Sequence, residues 1–299
     1  MPRRCDHWRI GVVEAPIEAI ARAGSLEPFA IDWLDEPGDF RFRADPFGIV
    51  RDGLVHLFAE AYDYRDRHGR IVHFTIDPDG RSSPPRVALA EPWHLSYPQL
   101  IEDGDETWLL PEASKNGGLT LYRARDFPLG WERAATIALD VVPIDATPFR
   151  HDGRWWLAYA SGVDREGAMS RLHLAFAEQL AGPWTPHPLN PVRIDRAAAR
   201  PGGTPFRLDG RLVLPLQDNV GTYGAAIRLL EVTTLTPDAF AAAPGARIAA
   251  PSSAGRYREG LHTLSACGEL TLIDVKRVDR SGRGWLIDLR RLLSRRVFS

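Results

Sequence analysis

The chain has 299 residues, with 44% hydrophobic and 25% charged residues, a formal net charge of −2 at pH 7 and a pI near 6.5. This balance offers no electrostatic basis for binding nucleic acid, and no apolar run approaches the ~18 residues of a membrane span. The N-terminus holds only a short apolar run broken by Glu14, which argues against a secretory signal. We therefore expect a cytoplasmic protein.

Residues 1–43 precede the first repeated motif. Trp8 to Val13 and Ile31 to Leu34 resemble short strands, and Ile17 to Ala23 can form one or two helical turns. A segment of this length makes a poor independent core. We therefore expect it to join the fold that the rest of the chain forms.

From Ala44 onward one plan recurs: a short apolar strand, a tight turn with glycine, and a second strand ending in polar residues. The turn glycines lie 51, 49, 57 and 58 residues apart. A period near 50 with several strands per unit is typical of propeller blades. The repeats are residues 44–64, 96–114, 145–163, 202–220 and 259–277, with turn glycines Gly53, Gly104, Gly153, Gly210 and Gly268.

The repeats predict an all-β, five-bladed β-propeller forming one domain over residues 1–299. Residues 1–43 would close the ring by adding a strand to the last blade, which removes free sheet edges. Residues 44–280 would form the five blade repeats, and residues 281–299 a C-terminal strand or a basic helix. Third strands are predicted at 71–76, 119–123, 171–177 and 225–232, and fourth strands at 86–89, 132–137 and 191–194. Only residues 236–242 and 286–297 show helical periodicity.

The C-terminal tail and the two cysteines bear on possible partners and cofactors. The tail from Arg283 to Ser299 carries five arginines against one aspartate, so it either makes a weak peripheral contact with anionic membrane or forms a surface helix. Cys5 and Cys267 give neither a disulfide framework nor metal-site spacing. We expect no metal and no cofactor.

Only Lys115 and Lys276 are lysines among 37 basic residues, which suggests a specific role for each.

Polar residues of the repeats are expected to form one site. In a propeller the innermost strand of each blade lines the central channel, and the starts of those strands converge at one end. Carboxylates and amides suit sugar hydroxyls, and aromatic rings suit apolar sugar faces. The strand starts supply Asp45, Ser96, Tyr97, Asp145, Arg200, Glu259 and His262, and the ends of the second strands supply Glu60, Tyr62, Asp63, Glu112, Gln217, Asp218, Asp274 and Lys276.

The openings of the first and third repeats, ADPF at Ala44 and IDATPFRHDG at Ile144, resemble signatures of glycoside hydrolase family 43. That resemblance implies a general-base role for Asp45, and for Asp145 a role in tuning and holding the acid. The family's general acid is a glutamate opening the fourth blade, where this chain reads RPGGTPF from Arg200. Hydrolysis without an acid would be slower by ~10²- to 10⁴-fold. An activated nucleotide sugar needs no acid, because its diphosphate leaves with help from cations such as Arg200 and Lys276.

Nine short motifs in order resemble the N-terminal propeller domain of glucosamine inositolphosphorylceramide transferases and free-standing bacterial relatives. In the plant proteins a separate C-terminal domain is usually credited with the reaction, so the resemblance implies the fold more directly than the activity. The motifs are ADPF at Ala44, EAYDY at Glu60, HLSYP at His94, PE at Pro111, RPGG at Arg200, QD at Gln217, YG at Tyr223, GLHT at Gly260 and DVKR at Asp274.

These observations lead to a carbohydrate-active enzyme, with glycosyl transfer from a nucleotide sugar favoured. The alternatives are a family 43-like inverting hydrolase, with Glu112 or Glu259 as the acid, and a non-catalytic glycan-binding propeller or partner of a separate transferase. We expect Asp45, Asp145 and Glu112 to be catalytic. The expected substrate-binding residues are Glu60, Tyr62, Asp63, Trp93, His94, Ser96, Tyr97, Arg200, Gln217, Asp218, Tyr223, Glu259, His262, Asp274 and Lys276.

Overall fold

The computed structural model describes residues 5–285, 287 and 289, which form five sheets arranged as the blades of a β-propeller. The predicted fold class is confirmed. Most of the predicted basic tail lies outside the described residues, although residues 283–285 are helical. None of the helices in the described part of the chain combines the length and apolar character needed to cross a bilayer.

The elements follow the predicted repeats closely. The chain begins with β1 (Cys5–Val13), α1 (Ile17–Ala23) and β2 (Ile31–Trp33). Blade one contains β3 (Arg41–Arg51), β4 (Leu54–Asp63), β5 (His68–Ile76) and β6 (Arg86–Leu89). Blade two contains β7 (Ser96–Asp103), β8 (Glu106–Glu112), a 3₁₀ turn (Ser114–Asn116), β9 (Leu119–Asp126) and β10 (Gly130–Ile137).

The remaining blades are less regular. Blade three contains β11 (Pro143–His151), β12 (Arg154–Ser161), α2 (Gly167–Ser170), β13 (Arg171–Ala177), β14 (Thr185–Pro186) and β15 (Arg193–Ile194). Blade four contains β16 (Arg200–Pro201), β17 (Phe206–Leu208), β18 (Arg211–Asp218), β19 (Ala226–Thr236) and β20 (Ala239–Ile248), followed by a 3₁₀ turn (Ser252–Ala254). Blade five contains β21 (Leu261–Cys267) and β22 (Leu270–Asp279), in the sheet order β2-β1-β22-β21.

The N-terminal strand is built into the last blade. Residues Cys5 to Val13 of β1 pair antiparallel with β22 in continuous register from Asp279 to Thr271. The two ends of the described chain are thereby hydrogen-bonded to each other, and the outer edge of β22 is covered. Ring closure of this kind removes an edge that would otherwise be open to pairing with another chain.

One stretch with helical periodicity is not a helix. Residues 236–242 fall on the hairpin between β19 and β20, where Thr236 pairs with Ala239 across the turn. Pro237 suits the first central position of such a turn, and the Thr236 hydroxyl accepts the Ala239 N–H at 3.1 Å. The prediction of helical structure here is wrong, because the alanine-rich run that follows is held in a strand by pairing with β19.

Five apolar clusters fill the spaces between neighbouring blades. Trp155 and Trp156 of β12 are an example, because adjacent strand residues point to opposite faces of the sheet. Trp155 packs in the cluster between blades two and three, and Trp156 packs in the cluster between blades three and four. The helix α1 adds Ile17 and Ile20 to the cluster between blades four and five. The core is therefore a ring of interfaces between sheets.

Each of the first three innermost strands has a bulge at the same place. The register shifts fall between Ala44 and Phe47, Ser96 and Gln99, and Ile144 and Thr147. Within them Asp45, Tyr97 and Asp145 have φ values of 52°, 45° and 50°. A bulge re-aims a side chain out of the strand's alternation, so these three residues are structurally equivalent.

The side chain of Tyr97 crosses the channel and ties four blades together. Its hydroxyl accepts the Gly203 N–H of blade four at 2.8 Å and lies 3.0 Å from the Thr147 hydroxyl of blade three. Its backbone N–H donates to Asp45 of blade one at 3.1 Å. Tyr97 is fully buried, so these contacts between blades lie away from solvent.

Gly203 fits a contact between blades four and five that admits no side chain. A Cβ at this position would lie 1.9 Å from the Leu264 carbonyl oxygen, and the φ of 147° is one that only glycine adopts readily. We expect Gly203→Ala to lower the free energy of unfolding by more than about 4 kcal/mol, which corresponds to roughly a 10 °C fall in melting temperature.

Differential scanning calorimetry measures this effect, and Gly118→Ala is the matched control. A Cβ at Gly118 has open space around it, so that variant should melt within a degree or two of the parent. Equal melting temperatures for the two variants would contradict the proposed backbone contact.

Candidate active site

A cavity of about 1380 Å³ opens where the innermost strands begin and the second strands end. Six of its lining side chains are aromatic rings, which suits the apolar faces of sugar rings. The charged and polar lining comes from loops of several blades. Its residues are Asp6, Trp8, Phe42, Glu60, Tyr62, Tyr64, Arg67, His68, Pro92, Trp93, His94, Lys115, Arg165, Arg196, Gly221, Thr222 and Tyr223.

Asp45 lies below this cavity, held by groups from blades two and five. Its Oδ2 atom accepts the Tyr97 N–H at 3.1 Å, and its Oδ1 atom lies 3.3 Å from the Thr263 hydroxyl oxygen. The Nε2 atom of His262 lies 3.6 Å from Oδ1. Burial raises the pKa of Asp45 to about 7; the charge of His262 opposes the rise, and Asp274 adds to it. A carboxyl group with this pKa can exchange a proton near neutral pH.

Asp274 is the fully buried group on which Asp45 and His262 depend. Its carboxylate accepts five hydrogen bonds, from the Asp45 N–H, the His262 N–H and Nδ1, and the N–H and hydroxyl of Thr263. The shortest two are 2.8 Å, from the Asp45 N–H and His262 Nδ1. All its donors come from blades one and five, so Asp274 positions other residues.

His262 is fixed by stacking as well as by hydrogen bonds. Its ring stacks on Trp8 of the closing strand, with centroids 3.6 Å apart and planes 20° apart. Burial lowers the pKa of His262, but attraction to the carboxylates of Asp274 and Asp45 outweighs burial, and the net pKa is raised. The Nδ1–H points to Asp274, which leaves Nε2 facing Asp45.

Asp145 lies at the centre of a second set of buried side chains. Its Oδ2 atom accepts the Arg200 Nε–H at 2.7 Å and the Gln217 amide at 2.8 Å. Arg200 also lies over the Tyr223 ring, with its Cζ atom 5.1 Å from the centroid. Burial raises the pKa of Asp145, and Arg200 opposes that rise. Arg200 is therefore bound to a carboxylate below the cavity and does not line it.

Glu112 and Glu60 are two further buried carboxyl groups near the cavity floor. Glu112 accepts the Ser114 N–H at 2.7 Å and the Ser96 hydroxyl at 3.3 Å. Glu60 lines the cavity, and the Nε2 atom of His94 lies 3.4 Å from its Oε1. Because Gly69 donates its N–H to His94 Nδ1 at 2.9 Å, Nε2 carries the proton that faces Glu60. Burial raises the pKa of Glu60 well above its usual range, and the neighbouring carboxylates add to the rise.

Four of the expected binding residues are placed by other contacts. Asp63 forms a surface cluster with Arg41 and Arg65, and Asp218 accepts the Arg247 Nε–H at 2.7 Å. Glu259, just before β21, pairs with Arg280 at 2.8 Å. The side chain of Lys276 is fully buried, and its amine donates to the Tyr223 carbonyl and, at 3.2 Å, to the Thr222 hydroxyl.

The structure therefore divides the expected residues into three groups. The first lines the cavity, the second lies buried at its floor, and the third lies away from it. The first contains Glu60, Tyr62, Trp93, His94 and Tyr223; the second contains Asp45, Ser96, Tyr97, Glu112, Asp145, Arg200, Gln217, His262, Asp274 and Lys276; the third contains Asp63, Asp218 and Glu259.

Sequence reasoning missed two sets of residues. Trp8 and Asp6 lie on the closing strand, outside the repeats that were aligned. The cations at the cavity edge lie in loops whose lengths differ between blades, so no repeat position marks them. Of these cations, only Lys115 carried a signal, because lysine is rare in this chain. The edge cations are Arg67, Lys115, Arg165 and Arg196.

Blade four offers glycine backbone where a family 43 hydrolase would place its acid. A Cβ at Gly202 would meet Ile227, the His262 carbonyl oxygen and Gln217 within 2.9 Å, and Gly203 has no room at all. Neither position can hold a carboxylic acid without moving the neighbouring blade. The missing acid is therefore a consequence of how tightly blades four and five pack.

One group of residues has the composition of a cation site. Potential ligand atoms of Asp45, His262 and Asp274 all lie within 4.8 Å of one another. Each of these side chains already bonds to protein: Asp274 accepts five hydrogen bonds, and His262 Nδ1 bonds to Asp274. The observed contacts are those of an imidazole held between two carboxylates.

The fold and the cavity define a class: five-bladed β-propellers with a polar site at one end of the channel. The family model described as glucosamine inositolphosphorylceramide transferase 1, N-terminal, matches residues 34–259. The chain belongs to this family.

Sequence relatives with the family's name also match this chain. The glucosamine inositolphosphorylceramide transferase 1 of Oryza sativa subsp. indica is 36% identical over 208 residues, which cover 68% of this chain and 28% of the relative. That of Arabidopsis thaliana is 33% identical over 206 residues, covering 67% and 26%. The matched region thus spans about a quarter of each relative's length.

Solved structures share the fold at low identity. The catalytic domain of a family 62 α-L-arabinofuranosidase from Coprinopsis cinerea has a TM-score of 0.59 at 14% identity, covering 81% of this chain and 93% of that one. A family 117 glycoside hydrolase from Zobellia galactanivorans has a TM-score of 0.56 at 14% identity, covering 81% and 87%. Both comparisons identify the five-bladed propeller.

The raised pKa of Asp45 predicts how stability depends on pH. Because the folded protein binds this proton more tightly than the unfolded chain does, the stabilisation is present below about pH 4 and is lost as pH rises towards 7. We expect the free energy of unfolding to fall more steeply from pH 5 to 8 in the parent than in Asp45→Asn. The difference should be on the order of 2 kcal/mol, since each pKa unit is worth ~1.4 kcal/mol.

Urea titrations at several pH values measure this difference. Asp105→Asn, at an exposed turn position, makes the same change in net charge and should follow the parent. Parallel pH profiles for the parent and Asp45→Asn would show that the Asp45 carboxyl is not perturbed in this way.

Proposed function

We propose that this chain is a carbohydrate-active enzyme that transfers a sugar from an activated donor to an acceptor in the cavity. The observation that carries the proposal is the pairing of Asp45, a buried carboxyl with a pKa of about 7, with a fourth blade whose packed glycines leave no place for a general acid. Because blade four supplies no acid to protonate the leaving group, the proposal is a reaction in which the leaving group departs as an anion.

Asp45 is the base in this proposal. When ionised, it takes the proton of an acceptor hydroxyl as that oxygen attacks the anomeric carbon of the donor. The bond from that carbon to the diphosphate breaks, and the diphosphate leaves with the electron pair. Thr263 and the Tyr97 N–H hold the carboxylate in place, at 3.3 and 3.1 Å. His262 faces it with Nε2 at 3.6 Å and stabilises its charged form.

Asp145 and Glu112 have positioning roles in the proposal. Asp145 holds Arg200 below the cavity through the 2.7 Å contact, which places a fixed positive charge near the floor. Glu112 orders the loop after β8 through Ser114. Arg200 and Lys276 are buried by these contacts and by Tyr223, so they act on a leaving group only through their field.

The family gives independent support for sugar chemistry. Relatives whose names state a transferase of glucosamine and inositolphosphorylceramide share this propeller at 33–36% identity. These relatives are much longer than the matched region, so their activity is a guide to the class of substrate. We take from them a sugar donor and a polyol acceptor as the first compounds to test.

A second candidate function is a glycan-binding propeller that does no chemistry, or one that serves a separate transferase. The observation that favours it is the saturation of the buried acids: Asp274 accepts five protein hydrogen bonds, and Asp145 is paired with Arg200 and Gln217. Under this function the aromatic lining binds the sugar, and the buried acids only maintain the floor.

Mutation of Asp45 separates the two functions. For the enzyme we expect Asp45→Asn to reduce turnover of a nucleotide sugar by ~10²- to 10⁴-fold while sugar affinity stays within about threefold. Because the base acts when ionised, the parent's rate should rise with pH around a midpoint near 7. Release of nucleoside diphosphate measures turnover, and calorimetry measures affinity.

Asp105→Asn is the control for this experiment, because Asp105 lies at an exposed turn position and does not line the cavity. It should leave turnover and affinity unchanged. A parent that binds sugar but turns over no nucleotide sugar or glycoside would establish the binding function. Turnover of simple glycosides in place of nucleotide sugars would replace transfer with hydrolysis.

A further inference from the structure

The edge of the cavity carries a cluster of cations. The cavity floor lies above the buried carboxyl groups of Asp45, Asp145 and Glu112, whereas the edge carries four cations, here called the basic rim: Arg67, Lys115, Arg165 and Arg196. The rim residues come from the loop after β4, the 3₁₀ turn after β8, the loop after β12 and the segment between β15 and β16. Loops from three blades therefore place positive charge around one opening.

The acidic side chains in the cavity lining do not cancel this charge. Two carboxylates, Asp6 and Glu60, line the cavity together with the four rim cations, and burial, followed by the neighbouring carboxylates, raises the pKa of Glu60 well above its usual range. Asp6 lies 3.7 Å from the buried amine of Lys276, which balances it. His94 adds no charge, because burial and then the nearby cations lower its pKa to about 4. The lining thus has a net positive charge at neutral pH.

Two members of the basic rim keep their full donor capacity. Within the described part of the chain, Lys115 and Arg165 have no side-chain hydrogen bond or ion pair, and both are exposed. Arg196 is partly neutralised, since it pairs with Glu166 and donates to the Asn219 carbonyl at 3.1 Å. Cations on an otherwise ordered cavity edge are available to a ligand, and arginine matches the geometry of phosphate oxygens.

We infer that the basic rim binds a phosphate group, so that the ligand of this cavity is a phosphorylated sugar or polyol. The ring lies against the aromatic lining, and the phosphate lies at the rim between Lys115 and Arg165. The inference deepens the proposed function and rests on it for the sugar ring, whereas the phosphate site depends only on the rim. The sequence predicts an anion-binding role for Arg200 and Lys276. Both are buried, and the inference assigns that role to rim residues that line the cavity.

The test uses the double variant Lys115→Ala/Arg165→Ala. Its matched control is Arg81→Ala/Arg125→Ala, which removes two exposed arginines outside the cavity that pair with Asp79 and Glu132. Both doubles change the net charge equally. The probes are inorganic pyrophosphate, a panel of hexose 1-phosphates with their methyl glycosides, and UDP-hexoses, titrated calorimetrically at two salt concentrations.

We expect phosphorylated probes to bind more tightly than the matched glycosides, and more weakly at high salt. The rim double should lose roughly tenfold or more of this affinity, the size expected for a charged hydrogen bond, while the control stays within about twofold of the parent. Affinity for methyl glycosides should be equal in all three proteins.

Further arms distinguish the source of the phosphate. Preference for UDP-hexoses identifies a nucleotide sugar, and rim-dependent sedimentation with phosphatidylcholine vesicles containing phosphatidylinositol identifies a lipid headgroup; either result supports the inference. No saturable binding of any phosphorylated probe at low salt, or equal losses in both doubles, would overturn it. Rim-dependent phosphate binding without turnover would leave the phosphate site standing and refute only the transfer reaction.

Discussion

The buried carboxylate of Asp274 is the interaction on which the site depends. A charge with no solvent access is costly unless hydrogen bonds satisfy it, and five donors do so here. Those donors are the backbone and side chains that orient Asp45 and His262. The same contacts join blade five to blade one, so the hydrogen bonds that help to close the ring also orient the residues of the site.

Tyr97 performs the corresponding task on the other side of the channel. Its hydroxyl meets blades three and four, and its N–H meets Asp45. At this depth the carboxyl groups are removed from water. Burial is accordingly the largest cause of the raised pKa of both Asp45 and Glu60. Burial at the floor is therefore what raises the pKa of these two carboxyl groups.

The position of charge is set partly by packing and partly by loops. At the floor the acids are paired with Arg200, His262 and Lys276, while four further cations surround the opening. The glycines of blade four admit no acid because they contact Leu264 and His262 directly. Close packing between blades thus sets a chemical constraint, and the loops outside the repeats supply the charges that complement it.

The sequence by itself determined the blade count, the repeat boundaries and the closing role proposed for the N-terminal strand. These follow from a period near 50 residues and from strand alternation, which are local properties. It also named Asp45, Asp145 and His262 as neighbours, because equivalent positions of repeats must meet around a channel. The hairpin at residues 236–242 escaped this reasoning, since its alanines fit either structure and only pairing with β19 decides between them.

Only the tertiary structure decided what each polar residue does. Lys276 and Glu112 have similar places in their repeats, yet one is fully enclosed by Trp8 and Tyr223 and the other orders a loop. Burial, pKa and access depend on side chains from other blades, and no local pattern encodes them. For the same reason the sequence could not place Arg165 and Lys115 at one cavity. Their loops have no shared repeat position, and they line the same cavity only because the blades pack side by side.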